Sequence, residues 1–68
     1  MSEPTSGADL RAEREAADVT ATDLGRAMGY DGPYPHTRVS QIEALARVTP
    51  TMAQRYRTAL ATLVEGKS

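Results

Sequence analysis

Four side chains, His36, Thr37, Arg38 and Gln41, concentrate hydrogen-bonding groups on one short stretch of this chain. An imidazole, a hydroxyl, a guanidinium and an amide can together donate to and accept from a flat polar partner. That is the chemistry of recognition, and bond-making chemistry has little to work with here. There is one histidine and no cysteine. No carboxylates are paired for acid–base work, and no glycine-rich phosphate loop is present. A chain of 68 residues is also too short to enclose both a substrate pocket and a core. The reading is that this is not an enzyme and needs no metal or cofactor. Without cysteine, neither a disulfide nor a thiolate metal site can form.

The elements that must position these residues are helices. Residues 8–17 read as a first helix rich in Ala, Arg and Glu, with Leu10 on its thin apolar face. Ser6 stands three residues before Asp9, a capping signal. Thr20 and Asp23 repeat that spacing and predict a second helix over 21–28, with Leu24, Ala27 and Met28 on one face. Gly29 is its stop, because the left-handed conformation is cheap for glycine. Asp31-Gly32, Pro33 and Pro35 then exclude regular structure. A third helix begins between Pro35 and Thr37. Val39, Ile42, Leu45 and Ala46 are expected inside; His36, Thr37, Arg38, Ser40, Gln41 and Ala44 outside. Thr49-Pro50 caps a fourth helix, whose stripe of Met52, Tyr56, Ala59, Leu60 and Leu63 is the strongest periodicity in the chain. No strand pattern or repeat appears. The expected fold is all-α, with a frayed arm over 1–7, one domain over 8–64 and a loose tail over 65–68.

Charge divides the chain. Residues 1–25 carry Arg11 and Arg14 against Glu3, Asp9, Glu13, Glu15, Asp18 and Asp23, a net of −4. Residues 26–57 carry Arg26, Arg38, Arg47, Arg55 and Arg57 against Asp31 and Glu43, a net of +3. The overall −1 therefore hides a half that a phosphate backbone would attract. No apolar run is long enough for a membrane span or a signal-peptide core, so a cytoplasmic protein is expected. Arg outnumbers Lys seven to one, a bias of GC-rich genomes that points to a bacterial or phage source.

The ordered set Leu10, Arg14-Glu15, Val19-Thr20, Asp23-Leu24-Gly25, Met28-Gly29 and Val39-Ser40-Gln41-Ile42-Glu43 resembles the Cro/C1-type (XRE-like) helix-turn-helix DNA-binding family. The segment after Met28 is longer than that family's turn, Glu13 replaces an apolar residue, and Leu45 replaces a helix-ending glycine. The last feature also resembles partition-protein (ParB-like) helix-turn-helices. The resemblance implies a small four-helix DNA-binding domain and a transcriptional regulator, such as a phage, plasmid or bacterial repressor. Its third helix would lie in the major groove of double-stranded DNA. His36, Thr37, Arg38 and Gln41 would then contact bases, with Gln41 suited to adenine and Arg38 to guanine. Thr20, Thr22, Arg26, Ser40 and Arg47 would contact phosphates. The thin core leads to an expected homodimer with Tyr56, Leu60 and Leu63 in its interface. The alternative is a protein-interaction module, such as an antitoxin or a polymerase-binding protein, and the two are compatible.

Overall fold

Short-range capping chemistry starts three of the four helices. In the computed structural model, which describes residues 5–30 and 32–67, these are α1 (Gly7–Ala16), α2 (Ala21–Ala27), α3 (Pro35–Glu43) and α4 (Pro50–Lys67). No strand occurs among the described residues. Ser6 and Asp9 close a reciprocal box: the Ser6 hydroxyl accepts from the Asp9 amide at 3.1 Å, and the Asp9 carboxylate accepts from the Ser6 amide at 3.4 Å. Thr20 accepts from the Asp23 amide, and Thr49 from the Met52 amide. Each such cap contributes about 1 kcal/mol.

The first two helices end alike. Past α2, the Tyr30 amide donates back to Gly25 and the Gly29 amide to Arg26, with Gly29 at φ 92°. Past α1, Val19 donates to Arg14 and Asp18 to Glu15, with Asp18 at φ 57°. The closing glycine was expected at 29. At 18 an aspartate takes the same role, one of the few residues besides glycine that visits this region readily.

Leu10, Val19, Leu24, Val39, Ile42, Val48, Ala53, Tyr56, Ala59 and Leu60 form the core. Two glycines let helices meet at backbone distance. A Cβ on Gly25 would lie 2.5 Å from the Pro35 carbonyl oxygen, so α2 crosses directly over the start of α3. A Cβ on Gly7 would collide with the Ile42 and Glu43 carbonyls, which brings the start of α1 against the end of α3.

Several expectations need correction. Leu45 is 50 % exposed and Ala46 is also outside. The reason is that α3 stops at Glu43, so the helical periodicity that would have carried 45 and 46 inward no longer applies. Val48 fills the core instead. The expected frayed arm is held at its described end: Gly7 donates to Leu45 at 2.8 Å and Val48 donates to Thr5 at 2.8 Å. The rest of that arm, 1–4, lies outside the described residues. α4 continues through the segment read as a tail, as far as Lys67. No proline interrupts it, and the Thr62 hydroxyl donates to the Thr58 carbonyl within its last turns. Tyr56 is fully buried and Leu60 only 8 % exposed, so both side chains are enclosed by their own chain's core. Of the three residues expected at a dimer interface, Leu63 alone retains partial exposure, beside Val64 at 44 %.

Candidate functional site

Pro35, Val39 and Ile42 turn one side of α3 into the core. His36, Thr37, Arg38, Ser40 and Gln41 are all exposed, as their spacing predicts. Successive helical residues are rotated by about 100°, so the outward residues do not all point the same way. On this rotation Thr37 and Ala44 lie opposite the buried side, with Gln41 and Ser40 to either side of them. Arg38 leans to one flank and lines an open groove with Gly29, Gly32, Tyr34 and Thr37. Ser40 leans to the other flank, in a groove with Arg11, Arg14 and Glu43.

α3 is held at both ends. Gly25 of α2 abuts its first residue. Its last residue, Glu43, enters a nearly buried polar cluster. Arg14 of α1 grips it with two nitrogens, Nε to Oε2 at 2.8 Å and Nη2 to Oε1 at 3.2 Å. Arg14 also donates from Nη1 to the Val19 carbonyl at 2.8 Å, and the Tyr56 hydroxyl of α4 donates to Glu43 Oε2 at 2.6 Å. The side chains of Arg14 and Glu43 are only 13 % and 8 % exposed. Burial pushes the Glu43 carboxyl up, but hydrogen bonds from Arg14 and Tyr56 and the Arg14 charge outweigh it and hold the pKa below its ordinary value. The Tyr56 phenol is pushed well above its ordinary value by burial and by its bond to the carboxylate. The bond to Glu43 raises the Arg14 pKa further, so the pair stays charged across the neutral range.

The arginines fall into two sets. Arg11 pairs with Glu15, Arg14 with Glu43 and Arg57 with Glu13. Arg57 is bound across α1 and α4, its Nη2 2.8 Å from Glu13 Oε2. Arg26, Arg38, Arg47 and Arg55 are exposed and form no ion pair among the described residues. The ion pairs thus take up the arginines on α1 and the one that α4 sets against it, and the arginines with no ion pair among the described residues lie on α2, α3, the connection after α3 and α4.

No family model matches the chain, and no curated protein or solved structure matches it either.

The structure brings His36, Thr37, Arg38, Ser40 and Gln41 together on one exposed helix surface. Thr20, Thr22 and Arg26 sit on or beside α2, and Arg47 is exposed on the 44–49 connection. The Thr20 oxygen is engaged by the Asp23 amide, which leaves its hydroxyl hydrogen to donate elsewhere. Residues 28–34 separate α2 from α3, and their two tyrosines part ways. Tyr30 packs on the core; Tyr34 is 68 % exposed, with its ring edge-on to His36 at 6.0 Å and 88°. Glu43 has a structural role, pairing with Arg14 and tethering the end of α3. Sequence reasoning missed the phenol of Tyr56, whose place in an apolar stripe concealed a polar function. A buried tyrosine needs a partner for its hydroxyl, which is the signal that was available. Among the described residues, no group of three metal-ligating side chains gathers, and no helix is long and apolar enough to cross a membrane.

Proposed function

We propose that this chain is a sequence-specific DNA-binding transcriptional regulator that reads the major groove with α3, in the manner of a small phage, plasmid or bacterial repressor. The observation that carries the reading is the exposed polar face of α3, whose Arg38, like Arg26, Arg47 and Arg55, forms no ion pair among the described residues. A recognition helix must present free hydrogen-bonding groups while its other side and its ends are fixed. Thr37 and Gln41 supply such groups, and Gly25 and Glu43 supply the fixing. Gln41 has the two-pronged amide that suits adenine. Arg26 and Arg47, with the hydroxyls of Thr20, Thr22 and Ser40, supply phosphate contacts that set register without reading sequence. The domain works as a homodimer through the exposed end of α4, Leu63 and Val64, on half-sites about one DNA turn apart.

The test is binding to a labelled duplex from upstream of the protein's own gene, against random duplex, at two salt concentrations. Preference for the upstream duplex that survives competitor and falls in Gln41→Ala supports the reading. Equal, weak binding to both duplexes that vanishes with salt sinks it. A second reading, a protein-interaction module such as an antitoxin, draws on the half-exposed Leu45 and Val64. Capture of one defined partner by wild type and not by Leu45→Ser favours that reading.

A further inference from the structure

Tyr34 has no structural duty that accounts for it. It is the most exposed large hydrophobic side chain described, and it is absent from the set packed against the core. Pro33 and Pro35 restrict the backbone around it, and the ring lies edge-on to His36. An exposed aromatic on a restricted backbone gives up less entropy on contact with a partner. It lines the same open groove as Arg38 and Thr37, and no carboxylate lines that groove among the described residues. Among the described residues, the groove therefore offers a phenol O–H, a guanidinium and a hydroxyl, each able to donate, and one positive charge. That set suits an anionic oxygen. The direction of Arg38 agrees, since it leans off the Thr37–Gln41 line toward this loop.

We propose that Tyr34 and Arg38 form a clamp on the DNA sugar–phosphate backbone at the edge of the major groove, with His36 bracing the tyrosine. Base reading then falls to Thr37 and Gln41. This rests on the DNA-binding reading above and deepens it. It reassigns Arg38 and His36, both expected to contact bases, to holding the strand.

The experiment selects preferred sites from a random duplex library with wild type, Arg38→Ala, Tyr34→Phe, His36→Ala and Gln41→Ala. Affinities for preferred and random duplex are then measured over a salt series. All four positions are exposed, and circular dichroism checks that each variant keeps its helices. Arg38→Ala is expected to return the wild-type site, bind preferred and random duplex about tenfold more weakly alike, and lower the salt slope by about 0.9. Tyr34→Phe is expected to weaken both about threefold, and His36→Ala to act in the same direction on both. Gln41→Ala is expected to lose preference at one position. If Arg38→Ala instead loses a guanine from the selected site, or if Tyr34→Phe leaves affinity unchanged, the clamp is wrong while DNA recognition stands. If wild type enriches no sequence, the DNA reading fails and the clamp falls with it.

Discussion

Arg14 and Arg38 are the same residue type on neighbouring helices, and they show two opposite uses of a guanidinium. Arg14 is nearly enclosed, spends its donors on Glu43 and Val19, and belongs to a cluster with Tyr56 that ties α1, α3 and α4 together. Arg38 is exposed and forms no ion pair among the described residues. The corner around Glu43 is a closed account of charge and hydrogen bonds; the α2–α3 face is left open. Net charge conceals this. A chain at −1 can still present cations, because three of its acidic residues pair with arginines on or against α1.

Breaking the closed corner should have the largest effect. Glu43→Ala leaves the Arg14 charge and the Tyr56 hydroxyl nearly buried without their acceptor, and should cost about 3–5 kcal/mol. Urea titration followed by circular dichroism would show a domain that is largely unfolded at room temperature. A loss under 1 kcal/mol would mean that water replaces the carboxylate freely. Gly25→Ala tests the other anchor of α3. Its Cβ would meet the Pro35 backbone, so the helices must part, at a cost of about 1–3 kcal/mol. On the proposed DNA-binding reading, affinity for duplex should fall with it at temperatures where the variant is still folded.

Acid and base should strain the corner selectively. Glu43 has a folded pKa below its unfolded value, so the stability it contributes is complete above about 4.5 and is lost as pH falls below that through the folded value. Tyr56 has the opposite sign. Its contribution is complete below about 10 and is lost as pH rises through the higher folded value. Melting temperatures of wild type and Glu43→Gln across pH 2–6 would check the acid side. The variant starts lower and should show a flatter decline. Parallel curves would assign the acid loss to other carboxylates.

The smallest effects sharpen the contrast most. Arg57→Ala removes a half-exposed pair with Glu13 and should cost about 0.2–1 kcal/mol, leaving the salt dependence of DNA binding unchanged. Arg26→Ala and Arg47→Ala should change stability by less than about 0.5 kcal/mol, and each should lower the salt slope by about 0.9. If Arg57→Ala moved the slope as much as these, the division into paired and available arginines would be meaningless for binding.

What was legible in the sequence is what local chemistry decides. The caps at Ser6, Thr20 and Thr49, the stop at Gly29 and the proline start of α3 all depend on residues within one turn of each other. So does the exposed face of α3. What was not legible depends on partners far along the chain. Leu45 seemed to continue an apolar face until α3 proved to end at Glu43. Arg57 seemed free because Glu13 lies 44 residues away. Tyr56 seemed available for a partner chain because nothing near it in sequence revealed the carboxylate 13 residues back. The division of roles between Tyr30 and Tyr34 likewise follows from the route of a loop between prolines, which periodicity does not describe.

The short pairing of Thr5 and Gly7 with Val48 and Leu45 bears on how the chain acquires its shape. It closes a circuit of about forty residues, and such closure costs entropy before any contact rewards it. On a ribosome the first helix emerges early, yet the backbone partners that seat its beginning are synthesised only after the third helix is complete. The beginning of the first helix therefore stays unseated until the connection leading into α4 has been made. The amides of Gly7 and Val48, at opposite ends of that circuit, should exchange with solvent deuterium as one unit.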